Sequence, residues 1–517
     1  MADYTAINQR EGLFSKIRGR TSIKSKKTVA SSDLPLELTR CNHIYAERER
    51  QMCINVLAMS GGREYVRRQL SRFSGESKID WEGGVRPDGI TVTGRRQQSH
   101  CFPYPRRIAD KINQYVFSTE PEREGIDDTI RDDASADGKS INDLMRIADD
   151  WLTSCGWCWL GIDAPTKVGQ VSQAQKKSEK IRPYIQIYSP LAVKDWKFLA
   201  TGGLEWLITE SEHYESSTPD AEDMKFTIRR IWTQGQVRTV KMAEDDKGEM
   251  KVISDEDTPI NYQGVPFVLV GSISEEGHSF DDIESVNRTI MDLESVNRAN
   301  FFKQCYPQPV LPVSCVKNAQ DAYGADGLGV TELIVGMNYP ILISKDDPAP
   351  FLMTPNASDM GAIRTELESL KRNMFDCVGL MLQNESKQVA SAEAKAWDFQ
   401  DIAQVMSARA AILEDAENKA ATIMNAWDSS ITLWTAVYNR DFDVGDFNQE
   451  MQALILTVNT AMPAEMYRMV LTKILGRMDR LGAALTKDQR KVIEDAIGEY
   501  EPNAISVNSF EDLQATP

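Results

Sequence analysis

The chain has 517 residues, 41% apolar and 26% charged, enough to bury several packed domains rather than one. Its formal net charge of −18 argues against a protein that grips nucleic acid by counterion release. Eight cysteines in so long a chain do not make a small disulfide scaffold, and no segment reaches the roughly 18 continuous apolar residues of a membrane span.

Residues Met1 to Arg10 are polar and lack the apolar core of a signal peptide, so the expectation is a protein made in the cytosol with reduced cysteines. Arg10, Lys16, Arg18, Arg20, Lys24, Lys26 and Lys27 form a basic N-terminal segment. It reads as a mobile arm or as a docking arm for an acidic partner. From about Leu34 to Gly277 the pattern is mixed. Helical periodicity covers Tyr45–Met59, Arg106–Val116 and Ile141–Leu152, and strands are predicted over Pro183–Tyr188, Leu204–Thr209, Phe226–Trp232, Val237–Met242 and Pro266–Val270. The charged stretch Ala243–Asp257 reads as a hairpin tip and loop.

A helix is predicted from Asp281, with Ile283, Val286, Ile290, Leu293 and Val296 as its stripe, ending before Tyr306-Pro307. Some fifty residues rich in Pro and Gly follow, with strand-like runs at Pro309–Cys315 and Tyr339–Ser344. A second helix starts near Asn356 or Ser358 and carries Ile363, Leu367, Leu370, Met374, Cys377 and Met381. After the polar break Gln383–Val389 comes the clearest stripe in the chain: Phe399, Ile402, Met406, Ala410, Leu413, Ala416, Ala420, Ile423, Trp427, Ile431 and Trp434. With no proline from Ala390 to Tyr438, one helix of about 45 residues is allowed. A stripe that long suggests packing against copies of the same chain, although a private coiled coil explains it too. Asn448 to Tyr500 reads as three short helices and Glu501 to Pro517 as a disordered tail.

Motifs for chemistry fail on inspection. Gly138-Lys139-Ser140 ends like a phosphate-binding loop, but Asp133 stands where the earlier glycine belongs. Asp133, Ser135, Asp137 and Gly138 imitate a calcium loop, but Leu144 occupies the position of the bidentate Glu. A solvated turn capping the next helix accounts for both. Cys155-Gly-Trp-Cys158 has redox spacing but lies in an apolar run, so buried core thiols are expected. Cys41, His43, Cys53, His100 and Cys101 supply no second pair at zinc spacing, and HExxH and GxSxG are lacking. No catalytic residue, metal ligand or cofactor is expected.

Several segments, in this order, resemble the portal proteins of tailed bacteriophages: Gly62-Arg63-Glu64-Tyr65-Val66 with Leu70; Arg106–Phe117; Asp137–Ser140 with Trp151 and Gly161–Pro165; Arg182–Ile185 with Tyr188–Pro190 and Asp195-Trp196; and Ser391–Ala394. The likeness runs from about Leu34 to Trp434, and the order of elements carries it more than any single motif.

The resemblance implies an α+β, mainly helical, elongated subunit. Residues 1–33 would be a flexible basic arm, 34–279 the α/β wing, 280–304 and 357–382 the two stem helices, and 305–356 a small α/β clip. Residues 383–390 would be the tunnel loop, 391–440 the long wing helix, 441–502 a helical crown and 503–517 a tail. It implies a homo-oligomeric ring of twelve subunits at one capsid vertex of the virion, assembled in the host cytoplasm. Its partners would be the terminase large subunit, the major capsid and scaffolding proteins, head-completion, adaptor or tail proteins, and double-stranded DNA in the channel, with no membrane. Gln383, Asn384, Ser386, Lys387 and Gln388 would face the channel, and Tyr323, Asp326 and Leu328, in and beside the turn Gly324–Gly329, would form the docking tip. A conduit must let DNA slide, which suits an acidic chain with one lysine in a short polar loop. Another oligomeric virion component, such as an internal head or tail-tube protein, is the alternative at this stage.

Overall fold

In the computed structural model the described residues are 35–73, 76–85, 91–135, 137–164, 182–216, 224–245, 249–305, 308–310, 349, 351–353, 357–376, 392–440, 442, 468–472, 474–475 and 487–499. The segments expected as a basic arm (1–33) and a tunnel loop (383–390), and most of those expected as a clip (305–356) and a crown (441–502), lie outside them. The chain divides into two compact units, one of residues 1–115, 122–383 and 411–438, the other of 116–121, 384–410 and 439–517. The fold is mixed α+β with antiparallel sheets.

The strands of the first unit, in chain order, are β1 (Gly84–Val85), β2 (Thr91–Val92), β3 (Glu122–Glu124), β4 (Trp157–Asp163), β5 (Tyr184–Tyr188), β6 (Val193–Phe198), β7 (Leu204–Glu215), β8 (Met224–Thr233), β9 (Gln236–Glu244), β10 (Met250–Pro259), β11 (Phe267–Gly271), β12 (Gln308–Val310), β13 (Phe351–Met353) and β14 (Thr435–Val437). Strands β6 to β10 form an antiparallel meander, each paired with the next. A second sheet has the order β11-β4-β5. Trp157, Trp159, Tyr188, Leu207, Trp232, Val237 and Phe267 from the two sheets share one apolar cluster. On the other face of the meander Leu38, from the 3-10 turn Leu36–Leu38, covers Ile208, Ile231, Val240 and Met242.

Two local devices set the core strand β4. Ser140 caps the helix Ile141–Cys155, its hydroxyl accepting from the Asp143 N–H at 3.1 Å while the Asp143 carboxylate accepts from the Ser140 N–H at 3.2 Å. The turn before it is closed by Asp133, which accepts from the Gly138 N–H at 2.7 Å. The motif-like residues are therefore a helix cap, as read. At the other end Gly156 adopts φ +88°, ends the helix and turns the chain into β4. A Cβ there would also meet the His278 ring at 2.7 Å.

Two expectations are corrected. Ala243–Asp257 does join β9 to β10 as a hairpin, but no loop follows its tip: Met250–Pro259 is the outer strand of the meander, paired with β9 with a register shift between Val252 and Ser254. Its composition misleads because an edge strand exposed on both faces takes charged residues and a terminal Pro259, which discourage edge-to-edge pairing. The long helix runs over Ala392–Trp427 and stops there rather than near Tyr438. Asp428 reverses the chain, accepting at its carboxylate from the Ser430 N–H (3.0 Å) and hydroxyl (2.7 Å), and Thr435–Val437 then pairs with β3.

The stripe on this helix is real, and Leu413, Ala416, Ala420, Ile423 and Trp427 are buried within the single chain, as are Ile431 and Trp434 beyond it. A neighbouring copy is therefore not needed to cover that part of the stripe. Of the second unit, the helix Lys487–Glu499 is described, with an Arg490–Glu494 pair at 2.9 Å along one face.

Candidate functional site

The expected channel residues Gln383, Asn384, Ser386, Lys387 and Gln388 lie outside the described residues, as do Tyr323, Asp326 and Leu328. What the structure does describe is the pair of helices that flanks the insert. The helix Ser279–Cys305 leads into β12, β13 leads into the helix Ala357–Asp376, and β12 and β13 pair antiparallel in the register Gln308↔Met353 and Val310↔Phe351. The ladder holds the end of one helix beside the start of the other. The helices then pack against each other, with Lys371 Nζ at 3.0 Å from Glu294 Oε1. Glu294 is about three turns before the first helix ends and Lys371 about four turns into the second, as an antiparallel hairpin requires.

The first helix is rooted in the α/β region by polar side chains at helical spacing. Asp281 accepts from Arg48 Nη1 at 2.6 Å, Asn55 Nδ2 at 2.8 Å and the His278 N–H at 3.1 Å. Burial alone would raise its pKa, but these hydrogen bonds outweigh it and hold the carboxyl below its ordinary value. Asn55 also donates to the Ser154 carbonyl at 2.9 Å, near the C-terminal end of the capped helix, so one side chain ties three elements together. One turn on, the Tyr65 hydroxyl donates to Glu284 at 2.9 Å, and burial together with that carboxylate drives the phenol far above its usual range. Asn287 reaches Cys101 Sγ at 3.6 Å, and burial lifts that thiol to about 12.

Further along, Asp292 accepts from the Ser71 N–H at 2.9 Å and Ser295 from Arg95 Nη1 at 2.6 Å. Arg95 is itself buried, paired with Glu76 at 2.8 Å and set over the Phe73 and Trp81 rings at 4.0 and 4.8 Å. The stripe read as the contact face, Ile283 to Val296, is therefore half of it. Glu284, Asn287 and Ser295 are as buried as Ile283 and Ile290. The series Asp281, Glu284, Asn287, Asp292, Ser295 was visible in the spacing, but polar residues are normally assigned to the solvent side.

Among the described cysteines the shifted thiols belong to the interior. Cys155 and Cys158 are buried free thiols, both raised by burial, Cys155 to about 12, in keeping with core thiols. Glu417, fully buried on the long helix, holds Arg123 through two bonds at 2.6 and 3.0 Å and accepts from Trp434 Nε1 (3.2 Å) and the Tyr438 hydroxyl (2.7 Å). Such a hub fixes β3 and β14 to the helix.

Among the described residues no helix is long and apolar enough to cross a membrane. No protein-family model matches the sequence, and no curated protein matches it. Among solved structures the chain is similar to one from the neck of an empty gene transfer agent particle computed with C6 symmetry, at 9% identity and a TM-score of 0.38, covering 70% of this chain and 88% of that one. It is also similar to a chain in the virion of a native gene transfer agent particle, at 10% identity and a TM-score of 0.34, covering 75% of this chain and 88% of that one. Both scores fall below 0.5, and the likeness is too loose to bear on function.

Proposed function

We propose that this chain is one subunit of a closed ring at a single capsid vertex of a phage-type particle, the portal through which double-stranded DNA is packaged and ejected. The observation that carries the reading is the helical hairpin. Ser279–Cys305 and Ala357–Asp376 pack together, their insert-facing ends are joined by the β12–β13 ladder, and their base is stitched into an α/β region. Together with the polar segment before the long helix, this is the order of parts that the portal resemblance implies. On this reading the insert between the two helices would dock a packaging motor and head-completion or tail proteins.

In this reading the work is geometric rather than catalytic. A ring built from subunits of charge −18 repels the duplex, which keeps DNA moving. Lys387, repeated once per subunit beside Glu385, adds a weak girdle of positive charge that is screened by salt and reads no sequence. The experiment is Lys387→Glu, scored as DNA content and retention per particle at matched ring yield. Reduced retention or incomplete packaging is expected. Equal content and equal retention would remove the channel role.

A further inference from the structure

An acidic chain here gathers arginines from three separate segments onto one face. The meeting point is the short helical turn Arg95–Gln98. Arg63 donates to the Gln97 carbonyl, Arg96 to the Arg67 carbonyl, and Arg298 Nη1 to the Gln98 carbonyl at 3.1 Å. Arg63, Arg67 and Arg298 are exposed and Arg96 is partly so. Acidic neighbours are few. Arg67 has Glu64 at 3.8 Å, but that carboxylate already holds Arg68 at 2.7 Å, and Arg96 has Glu82 at 3.9 Å. Arg63 and Arg298 make no ion pair among the described residues.

We propose that this face docks the phosphate backbone of double-stranded DNA. Arg63, Arg96 and Arg298 are each steadied by a carbonyl that uses one donor of the guanidinium, leaving other N–H groups for phosphate oxygens in the planar geometry that suits them. The side chains between them, Gln97 and Gln98, are polar and tied back to the Glu82 and Thr93 carbonyls at 2.7 and 2.9 Å. A protein partner would call for an apolar anchor at the centre of the patch, where these two glutamines stand instead. Without base contacts such docking proceeds regardless of sequence. The inference goes beyond the channel reading and does not depend on Lys387.

The test is binding of a short mixed-sequence duplex to the full chain by fluorescence anisotropy across a salt series. Four phosphate contacts predict a log–log salt slope near −3.6 per bound subunit (approximate value for B-form DNA). Arg63→Gln with Arg67→Gln is expected to weaken binding by about tenfold or more and to roughly halve the slope, whereas Arg63→Lys with Arg67→Lys retains most of it. An unchanged thermal midpoint confirms that the exposed substitutions leave the fold intact. Lys387→Glu should leave this binding unaltered, which separates it from the channel role. No binding at low ionic strength, or equal binding by the double glutamine variant, overturns the proposal. So does a double variant that binds DNA normally but loses self-association, which assigns the face to a second copy.

Discussion

Arg123 and Glu417 stand 294 residues apart in sequence and meet as a buried bidentate pair, Nε to Oε1 at 2.6 Å and Nη2 to Oε2 at 3.0 Å. Their side chains are 3% and 0% exposed, and the same carboxylate also takes the Trp434 and Tyr438 donors. A charge so placed is costly unless every partner is present.

Removing one partner therefore strands the other. Glu417→Ala is expected to lower stability by about 3–5 kcal/mol, and Arg123→Ala by a similar amount. Replacing both at once, Arg123→Met with Glu417→Leu, should cost clearly less than the sum of the single changes, because no charge is left unpaired. Urea unfolding of the four proteins measures this. Additive losses would show that the pair does not act as a unit.

Leu413 is fully buried within one chain. Leu413→Ala should cost about 2–5 kcal/mol, and Leu413→Asp should prevent folding of the subunit itself rather than only its assembly. Circular dichroism at concentrations where the protein is dispersed separates the two. A folded but unassembled Leu413→Asp protein would place this residue at an interface instead.

Acid should loosen the base of the hairpin. Asp281 has a folded pKa below its unfolded value, so its contribution is present above about pH 4, the ordinary carboxylate value, and is lost as pH falls through the folded pKa. Glu76, lowered chiefly by its hydrogen bond from Arg95, acts in the same direction at the middle of the same helix. Asp281→Asn is expected to reduce stability at neutral pH and to flatten its fall in acid, read as thermal midpoints between about pH 7 and pH 3. Parallel curves for variant and wild type would show that Asp281 carries none of the acid sensitivity.

Thiol labelling followed by peptide mapping should rank the cysteines by burial. Among the described cysteines Cys41, exposed, reacts first, while Cys155 and Cys158 react only on unfolding, since burial both hides them and keeps them protonated. Labelling of Cys158 in the native protein at the rate of Cys41 would contradict the core placement.

In the first unit the longer helices and the strands β5, β7, β8, β9 and β11 were legible because periodicity reports burial directly, whereas the core strand β4 and its neighbour in sequence β6 were not predicted. Tyr184–Tyr188 and Phe267–Gly271 differ from their predicted spans by a residue. The acidic edge strand β10 was not legible, because its charges serve an exposed edge and imitate a loop. Nor was the polar face of Ser279–Cys305, since Glu284 and Asn287 are buried only because Tyr65 and Cys101 meet them. The long stripe was read correctly as buried but assigned too readily to a neighbouring copy, because Trp434 and Tyr438 return to the helix from beyond its end. The arginine face escaped for a third reason. A net charge of −18 averages away a cluster whose members, Arg63 and Arg298, are far apart in the chain.

The central claim is assembly into a portal ring, and native mass spectrometry of the purified full chain, paired with images of the same sample, tests it most directly. The account predicts a single closed species of many copies, twelve on the portal reading, with a hole along its axis. A 58.1 kDa monomer persisting across salt and concentration, or a closed dimer, would contradict it.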